Sequence, residues 1–255
     1  MEIIRGKKES PWSILIYGVP GVGKSSLASF APNPIFCNLE NGLERIGVDR
    51  SPHLKDWLSF FQFMKWAKEN KDYKTVCIDT LGPLEDILIA QILAEHNSNI
   101  QDKKNHVKSL SDTEAFPYGA GFVLLKAKWS LVIQMIEMVK AAGKNVVCVA
   151  HESLERVTNP EGDDYSRYSP NIHKKSLDFF VSQMDGVFFC HYEKLIRSKD
   201  GARMGQKVKY GQDTGKRFIQ TVEKMTALAK NRFGMKPLMP FNSLDDSKKF
   251  FTYVK

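Results

Sequence analysis

The sequence predicts a doubly wound α/β domain on a mostly parallel sheet, with antiparallel strands appended near the C-terminus. Three observations predict it. Five short apolar runs, at residues 14–17, 35–39, 75–78, 145–150 and 186–190, are nearly continuous rather than alternating, the pattern of strands buried on both faces. Segments of helical periodicity lie between them, and strands that alternate with helices build parallel sheets. After Cys190 the text changes to charged, alternating segments broken by glycine turns (SKDG, KYGQ, QDTGK), which predicts antiparallel pairing.

Taken in order, the strand ILIY at 14–17 runs into a glycine-rich turn and a helix over 24–30. The strand 35–39 is followed by a helix over 56–69 (DWLSFFQFMKWAKE), in which Trp57, Phe60, Phe61 and Met64 fall at helical spacing and are expected to face the core. The strand 75–78 leads to a helix over 84–96. Residues 97–121 are polar, end in Gly119 and Gly121, and read as irregular; the helix 122–142 and the strand 145–150 follow. Residues 153–175 also read as irregular, with one Gly, two Pro and two Tyr among the charges. Loops this long inside a domain are usually functional, and both lie where α/β sheets bind ligands. No repeat or linker divides the chain, so one domain is expected over 1–255, with a core at about 12–190 and a basic extension at about 191–241.

Composition narrows the function classes. Of 255 residues 42% are hydrophobic and 26% charged, ordinary globular values. No apolar run approaches the ~20 residues of a membrane span. The opening MEIIRGKKES lacks the apolar stretch of a secretory signal, so a cytoplasmic protein without membrane partners is expected. Cys37, Cys77, Cys148 and Cys190 each sit inside an apolar run and read as small core residues. Lys and Arg number 37 against 29 Asp and Glu, a formal charge of +8. Residues 191–236 hold twelve of those cations and four acids, so this window carries the whole excess. The cluster points to a polyanion, chiefly nucleic acid; a solvated lysine-rich hairpin is the alternative.

Gly18-Val19-Pro20-Gly21-Val22-Gly23-Lys24-Ser25 fits G-x-x-x-x-G-K-[ST] in full, between an apolar strand and a helix. The glycines let backbone N–H groups wrap phosphates at a helix N-terminus. Lys24 is expected to reach the β/γ-phosphates of ATP and the Ser25 hydroxyl to bind Mg²⁺, with Ser26 completing the nucleotide contacts. Asp79 ends the strand TVCID, where a carboxylate faces that Mg²⁺; an N-cap for the following helix is the alternative. Water activation needs a further acid. Thr80, not an acid, follows Asp79, so the candidate is Glu40 at the end of IFCNLE, a charged residue at a turn being the alternative.

This order of P-loop, strand ending in Glu40, strand ending in Asp79, then VVCVAHE and KKSLDFFVSQMDGVFFC, resembles the RecA-like recombinase core over roughly residues 12–241. It looks closest to the small phage-encoded RecA-like proteins of the single-strand annealing group, AAA/P-loop ATPases in the broad sense. The resemblance implies a DNA-stimulated, Mg²⁺-dependent ATPase that assembles as a homo-oligomeric ring or filament on single-stranded DNA, with a single-strand binding protein as a possible partner and the host cytoplasm as its location if phage-encoded. It places a γ-phosphate sensor at His151, with a buried structural histidine as the alternative. It sets two DNA-binding loops at 97–121 and 153–175. Within the second, Arg156, Arg167, His173, Lys174 and Lys175 are candidate phosphate contacts, and Tyr165 and Tyr168 candidate stacking groups. The segment AKNRFG resembles the Lys-x-Lys/Arg element of RecA and hexameric helicases, which makes Lys230 and Arg232 candidate fingers for a neighbour's ATP; two further cations in a basic hairpin is the alternative. Thirteen residues precede the first strand and fifteen follow Pro240, so RecA's flanking oligomerisation helix and large C-terminal domain are not expected. Annealing of exposed strands is then simpler than strand exchange between duplexes. A hexameric helicase-type motor and a P-loop ATPase or switch not acting on DNA are the competing classes.

Overall fold

The computed structural model describes residues 10–200 and 207–254, with the side chains of 196–213 left aside. Its sheet contains β1 (Ser13–Gly18), β2 (Pro34–Asn38), β3 (Thr75–Asp79), β4 (Asn145–Val157), β5 (Tyr165–Pro170), β6 (Gly186–Asp200), β7 (Lys207–Gln220), β8 (Lys230–Asn231) and β9 (Leu238–Pro240). The order is β2-β3-β4-β1-β6-β7-β9, with β5 paired to β4 and β8 to β6. From β2 to β6 the pairing is parallel, and from β6 onward antiparallel. The fold class expected from the sequence is therefore the one observed.

Alternate residues of the buried strands serve two separate cores. On one face Leu15, Tyr17, Cys37 and Ile78 pack under α2 (Trp57–Glu69), α3 (Leu81–Asn97), α4 (Ala120–Ala141) and α5 (Lys174–Gln183). On the other, Ile14, Ile16, Cys77 and Val149 pack under α1 (Lys24–Ala28) and α6 (Leu244–Tyr253). All four cysteines are free and buried. Trp129 of α4 lies edge-on to Phe180 of α5 at 5.0 Å, and its Nε1 donates to Glu85 of α3 at 2.9 Å, so three helices meet there. No described helix is long and apolar enough to cross a membrane.

Two expectations are corrected, and a third, the irregular course of residues 97–121, is met. The buried face of α2 is Phe60, Phe63, Met64 and Ala67, while Phe61 is 42% exposed: a helix entering from its Asp56–Ser59 capping box is rotated so that the i, i+3, i+4, i+7 set faces inward. Residues 153–175 are not an irregular loop. β4 continues past the sheet edge and pairs antiparallel with β5 from Glu152–Pro170 to Val157–Tyr165. The first long segment, 97–121, holds two short 3-10 turns, Lys103–Asn105 and Pro117–Gly119, and is pinned where the Asn97 side chain bonds both backbone groups of Val107 at 2.9 Å.

The basic extension is a long ribbon: β6 pairs with β7 from Phe189–Gln220 out to Asp200–Lys207, with a bulge between Tyr192 and Lys194. Of its cations Arg203 falls outside the described residues, as do the side chains of Arg197, Lys199, Lys207 and Lys209.

Trp129→Ala is expected to destabilise the protein by about 3–5 kcal/mol, since it opens a large cavity and strips a partner from half-buried Glu85. Urea unfolding checks this, with Leu58→Ala, on an exposed site, as the near-neutral control.

Candidate active site

β1 is hydrogen-bonded on both edges, to β4 and to β6, and ends at Gly18 opposite His151 and Cys190. The approach is so close that a Cβ on residue 18 would lie 2.0 Å from the Cys190 carbonyl oxygen; only glycine fits. The chain then turns through residues 19–23 into α1, whose N-cap Gly23 has φ 101°. A cleft opens over the C-terminal ends of β1–β4, lined by Gly21, Lys24, Ser25, Glu40, Asp79 and His151 among others. Gly23 and Ser26 also line it, and Gly18, Val19, Pro20 and Val22 complete the turn beside it.

Its charges are incompletely partnered. Lys24 is 6% exposed, and its Nζ folds back to donate to the carbonyls of Gly18 (2.8 Å) and Val19 (3.0 Å). Burial pushes its pKa down, opposed by Cys190, Glu152, Asp79 and Glu40. Asp79 is 3% exposed; burial pushes its carboxyl up, the Ser25 hydroxyl pulls it down, and Glu40 adds to the rise. A carboxylate, a hydroxyl and a buried ammonium around one void suit Mg²⁺ and phosphate. Mg²⁺ binds hard oxygens, takes one or two carboxylates, and completes its shell with water and substrate phosphate. Among the described residues no group of three or more His, Cys, Asp and Glu is placed to hold a metal ion.

Glu40 and His151 complete the cleft. Thr80 Oγ1 donates to Glu40 Oε2 at 2.8 Å. His151 Nε2 lies 3.4 Å from the same oxygen, and its Nδ1 lies 3.4 Å from Lys24 Nζ. An ammonium only donates, so Nδ1 is the acceptor and the ring proton sits on Nε2, facing Glu40. The imidazole thus bridges the cation that meets phosphate and the carboxylate opposite it.

Thr80, Tyr192 and Arg217 were not singled out from the sequence. Tyr192 donates its hydroxyl to the Gly21 carbonyl at 3.1 Å. Arg217 lies 4.9 Å over Phe241 and donates to the Val22 carbonyl at 3.3 Å. These contacts span more than 170 residues, and no local pattern signals them.

The other candidates are scattered. Arg167 is largely buried and ion-paired to Glu155 (2.9 Å) and Glu223 (2.8 Å); it is a structural cation, not a free phosphate contact. His173 caps α5, accepting from the Lys175 N–H, and stacks on Phe122 at 4.1 Å. Tyr168 is packed on Phe189 at 5.0 Å; Tyr165 is half-buried on β5. Arg156 is exposed but paired with Asp164 at 3.3 Å, whereas Lys174 and Lys175 are exposed at the start of α5. Lys230 donates to the Val181 and Ser182 carbonyls at the end of α5, and Arg232 pairs with Asp185 at 3.1 Å. Through Val187 and Asp185 these two stand level with residues 13–15 of β1. Arg232 is thus five residues, about 16 Å of strand, from the P-loop end of the sheet.

A family model described as "AAA domain" matches residues 10–233. Among solved structures, the KaiC-like protein PH0186 from the hyperthermophilic archaeon Pyrococcus horikoshii OT3 aligns over 91% of this chain and 86% of its own, at 10% identity and a TM-score of 0.42. No curated protein matches the chain.

Asp79→Asn is expected to stabilise the nucleotide-free protein at neutral pH while weakening Mg²⁺-dependent nucleotide binding. With the folded pKa raised, native Asp79 holds its proton more tightly than the unfolded chain, so its contribution falls as pH rises from the unfolded carboxylate range through the raised value. Thermal melts from pH 4 to 8 should show the variant gaining most above that range; an equal shift at every pH would contradict it.

Proposed function

Because the chain belongs to the AAA-domain family of P-loop ATPases, we propose that it is a Mg²⁺-dependent ATPase that works on single-stranded DNA as a RecA-like annealing or strand-exchange protein. The observation that carries the ATPase half is the convergence of Lys24, Ser25, Asp79, Glu40 and His151 on one cleft. Backbone N–H groups of the P-loop bind the phosphates, and Lys24 exchanges its two carbonyl partners for phosphate oxygens, which compensate its desolvation. Ser25 and Asp79 would hold Mg²⁺, which when bound neutralises charge on the phosphates. Glu40, oriented by Thr80 through Oε2, orients the attacking water and takes its proton. His151 senses the outcome: when Lys24 turns to phosphate, Nδ1 loses its cation. The His151 backbone carbonyl accepts from Asn171 at 2.8 Å, so ring movement passes to β5 and the start of α5.

The DNA half rests on charge. The excess of cations lies in residues 191–236, and Lys174 and Lys175 are exposed at the sheet edge that holds the cleft. Lys230 and Arg232 are too far along the sheet to serve their own nucleotide, so a role as fingers requires a neighbouring subunit and release of their contacts to α5 and Asp185.

Glu40→Gln should keep nucleotide affinity and slow turnover by ~10²-fold or more, measured as steady-state phosphate release with and without single-stranded DNA. Wild-type turnover in this variant would remove Glu40 as the base, and a wild-type rate that ignores DNA would remove the DNA half. A Lys230→Ala/Arg232→Ala subunit mixed with a Lys24→Ala subunit should recover part of the ATPase that each lacks alone. A mixture that co-assembles and stays inactive rules out fingers acting between subunits.

A further inference from the structure

At the sheet edge that carries the cleft, one aromatic side chain packs against nothing among the described residues. Tyr118 is 103% exposed and is held at φ 55°, a left-handed conformation uncommon for a bulky residue. It projects from the turn Pro117–Gly119 that starts α4.

The surface around it is basic. Lys175 Nζ lies 5.6 Å from the centre of the Phe122 ring, and so close to Gly119 that a Cβ there would sit 2.9 Å from it. Lys174 is exposed beside it, and one turn further along α4 the Nζ of Lys126 stands 5.7 Å over Phe179. Glu155, paired with Arg167 at 2.9 Å, also faces Lys174, and Asp178 is exposed one turn into α5. The start of α5 is held firmly, since the His173 N–H donates to half-buried Glu85 at 3.0 Å.

A free aromatic face beside several ammonium groups is the pairing that single-stranded nucleic acids use: any base stacks on the ring, and the flanking phosphates meet the cations. An apolar protein surface would instead have to desolvate those lysines. We propose that Tyr118, Lys174 and Lys175 form a base-stacking site for single-stranded nucleic acid, one base lying on the Tyr118 ring and its neighbouring phosphates on the two lysines. This rests on the DNA reading above and deepens it by assigning the base contact to a residue of the first long loop. The Tyr168 ring is instead packed on Phe189.

Titration of a labelled oligo-dT and of an abasic strand of equal length, across a salt series, tests the site. Tyr118→Ala should weaken binding of oligo-dT by roughly 5- to 150-fold, leave the abasic strand unaffected and keep the salt slope; Tyr118→Phe should retain wild-type affinity. Lys174→Ala/Lys175→Ala should lower the salt slope for both strands by about 1.4, at ~0.7 per phosphate. If the wild type binds oligo-dT and Tyr118→Ala binds it equally well, the stacking site is wrong. If that variant instead changes the sedimentation of the DNA-free protein and not its DNA affinity, Tyr118 serves a second copy of the chain and the proposal also fails. A wild type that binds neither strand overturns the DNA reading itself.

Discussion

The pairing of β1 with β4 on one edge and β6 on the other is the constraint from which the rest of the molecule follows. A strand with no free edge and no exposed face cannot slip, because a one-residue shift would exchange its two core faces. Its last residue, Gly18, is therefore delivered to one place, against the Cys190 carbonyl and across from His151. The turn that follows inherits that position. Asp79 and Glu40 arrive at the same level because β3 and β2 continue the same parallel register.

That geometry gathers like and unlike charge out of water before any ligand is present. Lys24 lowers its energy on two carbonyls and Asp79 on a hydroxyl, and neither arrangement fully replaces hydration. The protein thus holds these groups out of water at the expense of its own stability, a common arrangement at functional sites. His151 divides this charge into two halves, with its acceptor nitrogen toward the cation and its donor toward Glu40.

Much of this was legible in the sequence, and the limits have physical causes. The P-loop is local, so eight consecutive residues announce it. The strand that ends in Asp79 is buried on both faces, which leaves a continuous apolar run ending in one carboxylate, and Glu40 follows the end of β2 by two residues. The β4–β5 hairpin was missed because residues 165–170 (YSRYSP) carry little apolar surface; β5 owes its place to backbone pairing and to Arg167 between Glu155 and Glu223. An arginine's charge can be read from the chain, but its partners cannot. Phe61 was misassigned because helical spacing fixes a stripe's period and not which of two adjacent stripes faces the sheet. Tyr192 and Arg217 reach the P-loop only through the fold.

The ribbon of β6 and β7 has a mechanical consequence. β6 has fifteen residues, about 50 Å of strand. Its first five are clamped beside β1, whereas the stretch from Lys194 to Asp200 is paired to β7 alone. The ribbon is a cantilever, and its root, next to the bulge, is where Tyr192 and Arg217 grip the carbonyls of Gly21 and Val22. A displacement farther out along the ribbon reaches that root as a smaller tilt. Hydrogen bonds of 3.1 and 3.3 Å already lie at the long end of their range, so a tilt of the ribbon acts on the loop at residues 19–23.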